Sequence, residues 1–259
     1  MPSQVSVRLG ESGANFLKRN PVGVKVNRQP AGLDFYSMDW NKPPHGTVKV
    51  DHGAHSFEVA NATGIQTSED QGELKFEGFV DYTVYAVLSE SDSLPHETAR
   101  NQIYGLLKNV MNAGWEQVVE PGDPRLSGRE RLEYTLKTSN LNGLDATYLP
   151  TMSEWMRLAD RTPWRFYADG IFMEIYFARD AQRMALDKPG SYLLTIELQA
   201  APEYFRRYVE PSDRAKWKAL VPGVLKDLAQ QRLQQETALR AQGLTINEGY
   251  QAPPFPPSP

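Results

Sequence analysis

Residues 164–178 read Trp164-Arg165-Phe166-Tyr167-Ala168-Asp169-Gly170-Ile171-Phe172-Met173-Glu174-Ile175-Tyr176-Phe177-Ala178. Two aromatic-rich runs flank an Asp-Gly pair, the dipeptide that a two-residue hairpin favours because both central residues take positive φ. The stretch predicts antiparallel strands over 164–168 and 171–178. Ile171, Met173, Ile175 and Phe177 then share one face, with Phe172 and Tyr176 on the other. Tyr192–Leu198 reads as a further strand.

Upstream, Ala99, Ile103, Leu106, Leu107, Val110 and Met111 recur at spacings of three and four, which predicts a helix. Ser93 or Asp92 is its expected cap, and Gly114 its left-handed stop. Before it, Phe76, Val80, Tyr82, Val84, Ala86 and Leu88 mark a strand, with Phe79, Tyr85 and Val87 on its other face. Such a strand is expected to be central and covered on both sides. Trp115–Val119 and Arg131–Lys137 read as strands, the latter with Leu132, Tyr134 and Leu136 on one face. Met152–Asp160 reads as a short helix. From about Phe79 to Ala168 the order is strand–helix–strand–strand–helix–strand, which is ferredoxin-like. The expected class is α+β: an antiparallel sheet with helices packed on it, extra strands and a C-terminal helix.

Four regions follow. Residues 1–44, rich in Gly and Pro, are expected to be irregular, apart from one short edge strand at Val22, Val24 and Val26. Leu33, Phe35, Tyr36 and Trp40 are expected to pack on the body. Residues 45–200 form the body, with its ferredoxin-like core near 79–168. Residues 201–243 hold C-terminal helices interrupted at Pro222-Gly223, and their polar end, Gln230–Gln242, is expected to project or fray. Residues 244–259 form a Pro-rich tail of polyproline type, expected to be disordered.

The chain has 259 residues, with 28 basic and 32 acidic side chains and a net charge of −4. That balance argues against a broad nucleic-acid footprint, which needs a basic face. No apolar run approaches the length of a membrane span. The first residues lack a basic and then apolar leader, so the chain is expected to be either cytoplasmic or a mature form. There is no cysteine, hence no disulfide framework and no thiolate site.

Three of the four histidines, His45, His52 and His55, lie within eleven residues and bracket Asp51. Imidazoles and a carboxylate are natural ligands of a divalent ion. Asp51, His52 and His55 are therefore candidates for a metal-binding protein or a metal-dependent hydrolase. The other reading is a solvated hairpin turn around Gly53, with strands Thr47–Val50 and His55–Val59. His96, at the start of the best helix, reads as a surface residue. Neither a G-x-S-x-G elbow nor a phosphate-binding glycine loop occurs. The acidic stretch Ser68-Glu69-Asp70-Gln71-Gly72-Glu73 reads as a loop between strands. Loops on rigid scaffolds carry binding, so Glu69 and Asp70 are the candidate partner-binding residues. The aromatic set around Trp155, Trp164, Phe172 and Tyr176 reads mainly as core, with an exposed strip suited to a protein interface.

The segments Asn20-Pro21-Val22-Gly23-Val24-Lys25-Val26 and Asp34-Phe35-Tyr36-Ser37-Met38-Asp39-Trp40, followed by the His-Gly-Thr-Val-Lys-Val stretch at 45–50, resemble periplasmic immunity proteins of bacteria that carry type VI secretion lipase effectors. The nearest resemblance is to the partner of a phospholipase D-type effector. It implies a non-enzymatic inhibitor that binds a cognate lipase in the periplasm and blocks its active site. It implies no cofactor, no catalytic residues and no membrane span in the mature chain.

Overall fold

The computed structural model describes residues 2–72, 74–91, 93–138 and 142–256. Among them, ten strands form one open mixed sheet with helices packed on it, an α+β architecture with a long C-terminal helix. The Asp-Gly hairpin lies in the C-terminal half of the sheet. β8 (Trp164–Ala168) and β9 (Ile171–Arg179) pair antiparallel across Asp169 and Gly170, whose φ values of 38° and 86° suit the expected turn. β10 (Tyr192–Ala200) pairs with β9 on one edge and with β6 (Asp81–Val87) on the other. β7 (Glu116–Gln117) closes the far side against β8.

Side-chain alternation gives this half two distinct faces. Val84, Ile196, Ile175, Phe177 and Trp164 are buried on one face in a single cluster with Ala99, Ile103, Leu107 and Val110 of α2 (His96–Asn112). Trp155, on α4 (Met152–Arg157), stacks on Phe177 at 4.6 Å. A capping box between Thr151 and Glu154 starts α4. Pro95, rather than Ser93, takes the cap position of α2, and Asp92 lies outside the described residues.

Arg131–Lys137 is helical rather than extended, as part of α3 (Gly128–Lys137). Leu132, Tyr134 and Leu136 alternate, but so short a run fits a helix equally, and Arg131, Leu132 and Thr135 are the residues buried. Between β6 and β8 the order is therefore helix, strand, helix, helix.

Residues 1–44 are more regular than expected. β1 (Gln4–Val7) runs parallel to β4 (Gly46–Val50), which makes the sheet mixed, and β2 (Lys25–Arg28) pairs with β3 (Leu33–Asp39). Between β1 and β2, α1 (Gly13–Arg19) starts on the Ser12 side chain and buries Phe16 edge-on against Phe79. β5 (Phe57–Asp70) organises this half. One edge pairs with β6, while β4 and β3 share the other edge in succession, opposite Phe57–Ala62 and Gly64–Asp70. The strand expected to begin at His55 thus starts after a 3-10 turn at Gly53–His55 and absorbs Ser68–Asp70 from the expected acidic loop. Glu73 lies outside the described residues.

α5 (Ala201–Arg206) follows β10 directly, and α6 (Trp217–Ala241) continues through Pro222 rather than breaking there. Its polar end does not project. Glu236 is fully buried and grips Arg125 through both carboxylate oxygens at 2.8 and 2.7 Å, and Leu239 packs with Leu126 and Ile246. The described part of the tail is likewise docked: Phe255 lies on Phe205 and Trp217, and the Tyr250 hydroxyl bonds the main chain of Val119. Residues 257–259 lie outside the described residues. No helix among the described residues is long and apolar enough to cross a membrane.

Candidate functional site

The sheet face away from α2 is polar, and it forms the floor of a cleft of about 750 Å³. Cross-strand register explains its composition. Lys25 lies opposite Ser37, Ser37 opposite Gln66, Gln66 opposite Thr83, Thr83 opposite Glu197, Glu197 opposite Glu174, and Glu174 opposite Arg165. One continuous polar row therefore crosses seven strands. At the usual strand spacing it is about 29 Å long. A second row, including Phe35, Ser68, Asp81, Gln199 and Phe172, lies beside it. α5 and the residues after it bring Tyr204 and Arg207 to the rim.

The cations around this floor are already engaged. Lys25 bonds Asp39 at 2.8 Å. Arg165 bonds Glu174 at 2.7 Å and Glu120 at 3.0 Å, and Arg207 bonds Glu120 at 2.6 Å. Burial opposes ionisation of Glu120, but the guanidinium groups of Arg207 and Arg165 outweigh it and hold this carboxyl below its ordinary value. In the middle of the floor the partners are neutral. Glu197 accepts a 2.5 Å hydrogen bond from the Tyr176 hydroxyl, and burial together with this carboxylate raises the Tyr176 pKa. Asp81 is half-buried. Its pKa is raised by burial and by the nearby Glu203 and Glu197, against a main-chain hydrogen bond from Ser68 that favours the charged form. Negative charge is therefore concentrated at the centre of the cleft, and positive charge at its ends is neutralised by carboxylates.

The rings at the rim are less open than an exposed aromatic strip would be. Phe172 and Tyr204 stack face to face with centroids 3.5 Å apart and are only 5% and 4% exposed. Phe35 is the ring that opens most to the cleft, at 43% exposure.

The residues singled out in the sequence lie elsewhere. Glu69 is buried rather than at a loop tip. Its carboxylate accepts hydrogen bonds from the Gly13 main chain and the Tyr36 hydroxyl, because β5 continues through Asp70 and directs Glu69 inward. Asp70 pairs with Leu33 at the end of the sheet, and its carboxylate accepts from Gly72. The histidines share a region but not a centre. His52 and His55 have ring centroids 5.6 Å apart, yet each bonds a different main-chain oxygen: His52 that of Ala168 at 3.0 Å, and His55 that of Ala113 at 2.8 Å. His45 bonds its own loop at Trp40, and Asp51 pairs with Arg8 at 2.7 Å. A carbonyl only accepts, so each of these ring nitrogens carries a proton. Among the described residues, no three His, Asp or Glu side chains converge to hold a metal ion. His96 is buried rather than at the surface, with Nδ1 2.5 Å from the Tyr192 hydroxyl and its ring edge-on to that of Tyr192 on β10.

No protein-family model, curated protein or solved structure matches this chain.

Proposed function

We propose that this chain is a binding protein that neutralises a secreted lipase toxin in the periplasm, as the immunity partner of a phospholipase D-type effector. The cleft carries the binding part of this reading: it is a long polar recognition surface, held rigid by cross-strand pairing. Pre-organised surfaces of this kind favour association because little ordering is lost on contact. The side chains best suited to chemistry are committed to structural bonds: each clustered histidine to a main-chain oxygen, and Asp51 to Arg8. The lipase as partner rests on the resemblance of residues 20–26, 34–40 and 45–50 to the immunity family. The first two of those segments supply Lys25, Val26, Phe35, Tyr36 and Ser37 to the cleft, so the resembling residues adjoin the recognition surface.

The test pairs the chain with the product of a lipase reading frame beside its own. Co-expression should protect bacteria from the periplasmic lipase, and the purified proteins should form a complex that abolishes lipid hydrolysis. Toxicity unchanged by the chain, together with no complex on mixing, would overturn the reading.

A further inference from the structure

We propose that the cleft receives a lysine or arginine side chain, carried on an extended segment of the protein partner, between Asp81 and Glu197. The inference rests on the reading of the cleft as a partner-binding surface, and it names what enters.

Charge complementarity selects this occupant. Asp81 and Glu197 project from the neighbouring strands β6 and β10 onto the cleft floor. Glu174, paired with Arg165, stands directly across from Glu197 on β9, and Glu203, although paired with Arg206 and Arg214, is close enough to act on Asp81. The basic side chains at the edges are paired, Lys25 with Asp39 and Arg207 with Glu120. Arg165 bonds both Glu174 and Glu120. Glu197 is left with a tyrosine hydroxyl and Asp81 with a main-chain donor, so both carboxylates retain acceptor capacity toward the open space. A guanidinium or ammonium group entering there gains charge-assisted hydrogen bonds and relieves the repulsion that Glu197 and Glu203 exert on Asp81. The length of the row suits an extended segment lying across the strands.

Other ligand classes fit less well. Phosphate-rich ligands meet carboxylates at the centre of the floor. A saccharide is normally sandwiched by open ring faces, and here Phe172 and Tyr204 cover one another, which leaves Phe35 as the ring that opens most.

Calorimetric titration of the folded lipase into wild-type chain, Glu197→Gln, Asp81→Asn and the edge control Glu58→Gln tests the proposal. Glutamine at 197 retains an oxygen for the Tyr176 hydroxyl, and circular dichroism checks that each variant is folded. Either cleft substitution should weaken binding about tenfold or more and flatten its salt dependence, while Glu58→Gln leaves it unchanged. Equal lipase affinity for wild type and both cleft variants would overturn the proposal and leave the immunity function standing.

If the lipase does not bind wild type, the immunity reading fails and a second arm decides this inference. A blocked Gly-Arg-Gly-Arg-Gly peptide is followed by amide chemical shifts. Shifts centred on β6 and β10 that disappear in Glu197→Gln support the cationic occupant. No shifts there, or shifts produced instead by a neutral oligosaccharide, overturn it.

Discussion

The histidine turn and the floor of the cleft both gather polar side chains, but in opposite ways. At the turn, Asp51, His52 and His55 are neighbours in the chain, and folding sends each to a different partner: Arg8, Ala168 and Ala113. In the cleft, seven residues scattered from Lys25 to Glu197 are brought into one row by strand register. Crowding along the sequence here produces a structural joint, and dispersal along the sequence produces a surface. The joint links three elements, since His52 reaches the end of β8, His55 reaches the end of α2, and Trp115 donates back to the His55 main chain at 2.8 Å.

That contrast makes opposite demands on stability. The largest effect is expected at Gly114. Its φ of +86° is one that side chains rarely adopt, and an added Cβ would lie 2.8 Å from His55 Nδ1. Gly114→Ala should lower stability by about 2–3 kcal/mol in urea unfolding. An unchanged midpoint would mean that the joint is not tight. The double substitution His52→Ala with His55→Ala removes two hydrogen bonds and the packing of His52 on Trp115. It should cost roughly 2 kcal/mol and leave the proposed lipase binding intact. Loss of binding without loss of stability would reverse the roles assigned to turn and cleft.

A pH-dependent effect is expected at Asp123, which lies beside Glu120. Asp123 is pushed up to about 6 by burial and by Glu120, from an ordinary value of 3.8, and one of its carboxylate oxygens has no hydrogen-bond partner. Because the folded pKa is the higher one, its contribution favours folding fully below pH 3.8 and is lost as pH rises through about 6. Asp123→Asn should therefore raise stability at neutral pH by on the order of 1 kcal/mol, with no gain at pH 3.8 or below. A gain of equal size at every pH would point to packing instead. The smallest effect is expected for Glu197→Gln, within about 0.5 kcal/mol of wild type in unfolding, because the side chain serves an open surface. A large destabilisation there would make the cleft as structural as the turn.

The C-terminal meander was legible because its information is local. Alternating residues, an Asp-Gly turn and a period-matched helix each declare themselves within a few neighbours, as at Trp164–Ala178 and Ala99–Val110. β1 was not, because its partner is distant. Gln4–Val7 becomes a strand by lying beside Thr47–Val50, and no pattern within four residues announces that. Glu69 was misplaced for a related reason: the acidic run looks solvated until β5 extends beneath it and Tyr36 and Gly13 reach its carboxylate. The cleft had no local signature. Even with β9 and β10 recognised, the meeting of Glu174 and Glu197 depends on a register that the turn between the strands does not disclose.

The placement of β10 between β6 and β9 has a consequence for synthesis on the ribosome. β6 leaves the exit tunnel with β5 available on one edge and nothing for the other until β10 emerges. That neighbour follows about 100 residues later, roughly 5–20 s at ordinary elongation rates. During that interval the nascent chain presents an unpaired strand edge to other nascent chains and to chaperones, so its yield in cells should depend on translation speed between residues 88 and 191 more than anywhere else in the sequence.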